Sequence, residues 1–415
     1  LVSIATENDM LRDLGPAKPE DVGLSSEGIA HVDAGVQRLI DKGVLAGAVT
    51  LVARHGRIVH THAMGLKDKE SREPLATDTM FRIFSMTKPV TGTAMMILHD
   101  EGRWSPDDPI AKHLPEFAGV KVFAGFDANG RPRTEDAGHA PTLRELLTHT
   151  AGFSYGFDPA NPVDKLYQAA KVWGASSLDE MSKRIASLPL AYQPGSKWLY
   201  SLSMDIQGAL IERLSGQALP QFMHDRIFAP LGMTDTAFHT PPEKRHRLAT
   251  LYRSSKSRGL APVANPLMRD HDRAPALASG GGGLISTAAD YARFAQMLLN
   301  GGELGGARII SPEATKLQMS NHLPQEMLAA GFGVGHQQIR PGFGYGFDGA
   351  VFTDPALAGI PVGEGTYQWD GAAGTWFWVD PKNDVVYVGM IQLLSEASPP
   401  LQSNTQTWMA EAIIG

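Results

Sequence analysis

Strand-like segments lie near both ends of this chain and the stretch between them reads as helix, an arrangement that constrains the fold more than any other feature. Near the start, AGAVTLVARHGRIVHTHAMG (46–65) consists of two β-rich runs meeting at His55-Gly56, a hairpin signal. Near the end, GYGF, TYQWDG, TWFWVDP and DVVYVGMIQ read as antiparallel strands, and QTWMAEAII reads as a closing helix. Between about 120 and 280, LRELLTHT, SMDIQGALIERLSG and LPQFMHDRIFAPLG carry helical patterns separated by Pro and Gly loops, with few strand-like runs. The expectation is an α+β fold, with one antiparallel sheet built from both chain termini, flanked by helices, and an inserted, mainly helical domain. Residues 1–120 and 280–415 are assigned to the sheet-bearing domain and 121–279 to the helical one. A ligand site is expected in the cleft between them.

Local signals agree with that plan. Leu24-Ser25-Ser26-Glu27 offers a helix cap ahead of Ile29, Val32, Val36, Leu39 and Ile40, so a long helix is expected up to Gly43. Ser286-Thr287 caps ADYARFAQMLLNGG after the run Gly280–Gly283.

Composition narrows the function classes. A formal charge of -7 and a pI near 6.1 leave no basic stripe to follow phosphates, which argues against nucleic acid as a partner. The absence of cysteine excludes disulfides, thiolate metal sites and a Cys nucleophile. No apolar run reaches the roughly 18 to 20 residues of a membrane span. No charged segment followed by an apolar one opens the sequence, so a cytoplasmic location is the first expectation, with periplasm or secretion left open. Nothing calls for a cofactor, and the oligomeric state is left open.

The chemistry-bearing candidate is FRIFSMTKPVTGTAMMIL (81–98), which places Ser85 three residues before Lys88 at the mouth of an apolar helix. Residues three apart share a helix face, so the ammonium can reach the hydroxyl. A serine is a weak nucleophile until something takes its proton, and a desolvated Lys with a lowered pKa can do so. The helix N-terminus also aims free N–H groups at any oxyanion. A bland reading, Ser as helix cap with a chance Lys nearby, competes with this one. Gly152-Phe153-Ser154-Tyr155-Gly156 matches the Gly-x-Ser-x-Gly nucleophile elbow, yet helix precedes it and loop follows, the reverse of what that motif needs. Gly152 then reads as a C-terminal cap of the LRELLTHT helix. In PGSKWLYSLS a turn delivers Tyr200 just before a helix, where its phenol can act as base or proton relay if an ammonium lies nearby.

Ser85-Met86-Thr87-Lys88, Tyr200-Ser201-Leu202 and Trp369-Asp370-Gly371 follow the order and approximate spacing of the three motifs of the serine β-lactamase and penicillin-binding-protein superfamily. The chain most resembles its class C β-lactamase-like branch known as family VIII carboxylesterases. LLTHTAGF, DDPIAKHLPEF, GGGGLISTAADYARFAQMLLNGG and WDGAAGTWFWVDP add to the likeness, which covers most of residues 20 to 413. The resemblance implies Ser85, Lys88 and Tyr200 as catalytic residues and the backbone N–H groups of Ser85 and Ala372 as the oxyanion hole. It further implies Trp369, Asp370, Gly371, Leu202 and Tyr155 around the substrate. Which of Lys88 and Tyr200 is the formal base stays open.

Departures within the motifs point toward esters. Class C β-lactamases carry Tyr-x-Asn, where this chain has Leu202, and Lys-Thr-Gly, where it has Trp369-Asp370-Gly371. An anionic substrate therefore loses its attractive Lys and meets Asp370. Asp370 also departs from the Trp-Gly-Gly usual in the esterase branch. The expected function is hydrolysis of short-chain or small-alcohol carboxylic esters through a Ser85 acyl-enzyme, with room for weak β-lactam hydrolysis. The alternatives are an acyltransferase or amide hydrolase on the same scaffold, or a non-hydrolytic penicillin-binding-like receptor. His60 and His62 alternate on a strand with no third metal ligand apparent, so they read as an exposed polar face and no metal is expected. GFGVG and GFGYG lack the strand-to-helix context of a dinucleotide site. His149 reads as a structural histidine.

Overall fold

The computed structural model describes residues 12–255, 259–263, 273–330, 332–334, 337–339, 341–395 and 398–414. Its main sheet joins β1 (Gly47–Arg54) and β2 (Arg57–Asp68) to β3 (Phe343–Tyr345), β4 (Ala350–Phe352), β5 (Tyr367–Asp370), β6 (Trp376–Asp380) and β7 (Val385–Met390). The order is β2-β1-β7-β6-β5-β4-β3, and each of these neighbours is antiparallel. At the β2 edge Gly15–Pro16 adds a short parallel pairing. The sheet is thus completed by both parts of the chain, across the β1–β7 register Val52↔Tyr387. The β1–β2 hairpin turns at His55 and Gly56, with φ of 50° and 68°, the left-handed pair a two-residue hairpin turn requires.

Strand β1 is buried along its whole length because the sheet is covered on both faces. Val49, Leu51, Ala53, Val386, Val388 and Met390 belong to the core that also holds α2 (Thr87–Asp100) and α5 (Ala288–Leu299). Ala48, Val52, Val385 and Tyr387 pack with Ile29, Val32 and Val36 of α1 (Ser26–Asp41) and with Leu401 and Met409 of α6 (Leu401–Ala412). The Ser25 side chain caps α1 by accepting from the Gly28 N–H at 3.2 Å, as the sequence signal indicated. Thr287 caps α5 in the same way.

Residues 121–279 contain α3 (Leu143–Leu147) and α4 (Ser203–Ser215) with several shorter helices. They also contain two hairpins that were not anticipated, Lys121–Phe126 with Pro132–Asp136, and Tyr252–Ser255 with Gly259–Pro262. PRTED is exposed at every position, so it lacks the in-out alternation that marks a half-buried strand. Helix α3 ends at Leu147, earlier than LRELLTHT suggested; His149 takes the first left-handed turn after it at φ 59°, and Gly152, at φ 90°, lies beyond the cap position in the following loop. GFGYG supplies the edge strand β3, while Gly331 and Gly335 of GFGVG lie outside the described residues. No helix of the described residues is long and apolar enough to cross a membrane.

Candidate active site

Ser85 lies on a 3₁₀ turn, Phe84–Met86, that runs directly into α2. Phe84 has a φ of 43°, costly for a non-glycine residue by about 1–3 kcal/mol and characteristic of chain bent to present a functional side chain. Lys88, one turn later, is fully buried, and its Nζ stands 3.1 Å from Ser85 Oγ. Tyr200, on the loop before α4, donates its hydroxyl proton to the same Oγ at 2.8 Å. The nucleophile candidate is therefore held by two groups of different acidity.

The surroundings of Lys88 determine its protonation. Burial pulls its pKa down to about 7, opposed by the carboxylates of Asp205, Asp348 and Asp370. Its Nζ donates to the Gly281 carbonyl at 2.7 Å and to Tyr155 Oη at 3.3 Å, and it sits 4.6 Å from the centre of the Tyr200 ring. A side chain at Gly281 would stand 3.1 Å from Asp205 Oδ2 and 3.6 Å from Lys88 Nζ, so a larger residue there would press on the Asp205 carboxyl. Burial pushes the Tyr200 phenol well above its ordinary value, offset in part by the bond to Ser85. Asp370 keeps surface open to solvent, but the protein packed around its carboxyl strips enough water to raise it to about 6, with Lys88 drawing it back. Lys88 is thus available as a proton acceptor near neutral pH, and Tyr200 is held as a proton donor.

Strand β5 closes one side. Trp369 is buried with its ring 5.8 Å from that of Tyr200, and Asp370, at the strand end, is open to solvent while its charge acts on Lys88 and Tyr200. Gly371 packs against the Ile83 carbonyl, which a Cβ would meet at 2.3 Å. Ala372 next to it is exposed. The opposite side is aromatic. Tyr155 stacks on Phe157 at 4.3 Å and on Trp173 at 5.7 Å, both exposed.

Sequence and structure meet unevenly here. Ser85, Lys88, Tyr200, Tyr155, Trp369 and Asp370 come together, with Gly371 and Ala372 beside the Ser85 turn. Leu202 does not reach the opening; it is fully buried in the main core, where its side chain offers no surface to a substrate. Ser154 is also buried, and its hydroxyl is bonded to Asp164, so the elbow reading has no nucleophile to offer. Several contributors were missed. Asp205 and Asp348 are buried carboxyls, with Asp205 Oδ1 accepting from Ser279 Oγ and Asp348 Oδ1 from Gln207 Nε2. An Asp inside the apolar face of SMDIQGALI was the available signal for the first. His149 accepts the Ser201 N–H at Nδ1 and its ring lies 4.9 Å from that of Tyr200, so it positions the loop that carries the phenol. Burial, then Lys88, holds its pKa well below the usual value, which keeps the ring neutral.

Comparison with known proteins shows the family of the chain. The family model described as Beta-lactamase matches residues 32–410. The chain belongs to the beta-lactamase family. This family member is 38% identical over 370 residues to Protein Rv1367c of Mycobacterium tuberculosis, covering 86% of this chain and 88% of that protein. It is 34% identical over 372 residues to Esterase EstB of Burkholderia gladioli, covering 85% and 87%. Among solved structures it is similar to EstCE1, a hydrolase with promiscuous acyltransferase activity, with a TM-score of 0.77, 27% identity, and coverage of 94% of this chain and 99% of that one. The fold class and the likeness to the esterase branch of the beta-lactamase family, both read from the sequence, are borne out.

Proposed function

We propose that this beta-lactamase-family chain is a serine carboxylesterase that hydrolyses neutral esters of short acyl chains or small alcohols through an acyl-enzyme on Ser85. The observation that carries the proposal is the pair of hydrogen bonds to Ser85 Oγ, from Lys88 Nζ at 3.1 Å and Tyr200 Oη at 2.8 Å. Neutral Lys88 takes the serine proton as Oγ attacks the ester carbonyl, and the backbone N–H groups of Ser85 and Ala372 hold the oxyanion. Tyr200 gives its proton to the departing alkoxide and recovers it from Lys88, leaving the acyl-enzyme. A water molecule then yields its proton to the same pair while its oxygen attacks the acyl carbon, and the pair returns that proton to Ser85 Oγ as it leaves, releasing the acid and restoring the serine. We also propose that residues 1–120 with 280–415 and residues 121–279 form two domains that share the site. In support, Ser85, Lys88 and Asp370 belong to the first set of residues, and Tyr155, Tyr200 and Asp205 to the second.

Charge supports neutral substrates. Asp205, Asp348 and Asp370 all act on the buried ammonium of Lys88; burial pushes Asp205 and Asp348 toward their neutral acids, and Asp370 is the one open to solvent. The test is a panel of p-nitrophenyl butyrate, an ester of matched size bearing a carboxylate, a cephalosporin and an amide, with and without an added alcohol as acyl acceptor. The neutral ester is expected to be turned over at least about a hundredfold faster than the anionic one at pH 8. Asp370→Asn should narrow that ratio by about three- to tenfold, because it removes a like charge. Its effect should shrink below pH 6, where Asp370 is already protonated in the wild type. Faster turnover of the cephalosporin than of the neutral ester contradicts the esterase reading. Dominant transfer to the added alcohol at the expense of hydrolysis favours the acyltransferase instead.

A further inference from the structure

On the face of the sheet turned away from Ser85, the fold supplies what the His60-Thr61-His62 stretch lacks in the sequence. His60 and His62 point to the same side of β2, and Asp33 on the adjoining helix α1 lies between them. His60 Nε2 is 2.9 Å from Asp33 Oδ1 and His62 Nδ1 is 2.7 Å from Asp33 Oδ2. The three donor atoms lie within 4.8 Å of one another. The β1–β2 register shifts between Val52 and Ala53, leaving Val59 unpaired beside His60, a bulge of the kind that re-aims a neighbouring side chain.

A separate observation points to the same place. Tyr387 and His60 both stand opposite Val52, on strands that flank β1, so they share this face. The Tyr387 hydroxyl is fully buried without a hydrogen-bond partner, and after burial it is the Asp33 charge that raises its pKa. A buried donor facing an anionic site, with no partner of its own, fits a cluster built around a further ligand.

We propose that Asp33, His60 and His62 form a binding site for a divalent late transition-metal ion, Zn²⁺ or a similar one, that clamps α1 to the edge of the sheet. Two imidazoles and one carboxylate suit such ions and not Mg²⁺ or Ca²⁺, which take oxygen ligands. Metal-to-ligand bonds of about 2.1 Å set the donor atoms of a tetrahedral centre about 3.4 Å apart, so the Asp–His pairs, at 2.9 and 2.7 Å on the two carboxylate oxygens, open by roughly half an ångström or slightly more, and donor atoms already within 4.8 Å of one another settle around the ion. The ion replaces the N–H proton each imidazole now directs at Asp33, and in the neutral ring that proton moves to the other nitrogen. His62, with a side chain 48% exposed, leaves an entry path and room for water to complete the coordination. Away from β1, strand β2 pairs among the described residues only with the two-residue segments Gly15–Pro16 and Glu73–Pro74, and the chain contains no cysteine to staple that edge covalently.

The test is calorimetric titration of tag-free, metal-stripped protein with Zn²⁺ alone at pH 7.5, in parallel with melting curves. One ion per chain is expected, bound at least about tenfold more weakly by His60→Ala and by His62→Ala. Saturating Zn²⁺ should raise the wild-type melting temperature by about 2–4 °C and leave those of the variants unmoved. His62→Ala, at the more exposed position, keeps the test sound if His60→Ala folds poorly. Ester hydrolysis should change by less than about twofold on loading, since the ion sits across the sheet from Ser85. Absence of saturable binding overturns the proposal, as does a stoichiometric ion that survives both substitutions.

Discussion

Ser85→Ala should lower kcat/KM for p-nitrophenyl butyrate by on the order of 10⁴-fold or more, because the substitution removes the hydroxyl proposed to carry the acyl group. Ser154→Ala, at the elbow-like sequence, should stay within about threefold of wild type. The two substitutions separate in stability as well. Ser154 is bonded to the buried Asp164, so its loss should cost about 1–3 kcal/mol and lower the melting temperature. Ser85 is half-buried, and the partners it leaves, Lys88 and Tyr200, keep other neighbours, so Ser85→Ala should melt near the wild type. Activity and stability therefore move in opposite directions for the two serines, a pattern that simple misfolding cannot produce.

The second large effect belongs to Lys88. With its pKa pulled down to about 7, the amine is protonated and unable to accept the Ser85 proton in acid, and free to do so above neutrality. The profile of kcat/KM should rise with pH and level off above about 7 to 8, with no fall below pH 10, because burial holds Tyr200 as a phenol beyond that point. Asp370→Asn should move the rising limb to lower pH, since its carboxylate favours the ammonium. Lys88→Met should cut kcat/KM by about 10²–10⁴-fold. It should also stabilise the fold. A lysine whose folded pKa lies below its unfolded value of 10.5 destabilises most when charged in both states, below pH 7, and the penalty fades as pH rises toward 10.5. The gain in melting temperature from Lys88→Met should therefore be larger at pH 6 than at pH 9, readable from melting curves at the two values.

How much of this was legible in the sequence follows from the reach of each signal. Ser85 and Lys88 sit one helical turn apart, so their encounter is local and readable. The sheet was readable too, because β1 and β7 are long, β-branched runs bounded by turns. Asp205, Asp348 and His149 escaped because their roles arise only when α4, the approach to β4 and the loop after α3 converge on Lys88 and Tyr200. Leu202 was misjudged for the converse reason. It occupies a motif position, yet the start of α4 turns its side chain into the core. In the hairpin at 121–136 the second strand, PRTED, is exposed throughout and the first, KVFAGF, does not alternate, so no period revealed it. Asp33 lies 27 residues before His60, and only packing of α1 on β2 brings it to the two histidines.

An acyl group carried by Ser85 can be seen directly on its peptide. The most direct measurement is peptide mass analysis after brief exposure to a slowly hydrolysed p-nitrophenyl ester and an acid quench. One acyl adduct per chain is expected, on the peptide holding Ser85, absent from Ser85→Ala and present in Ser154→Ala. An adduct on Ser154, or turnover of the ester by Ser85→Ala at the wild-type rate, would contradict it.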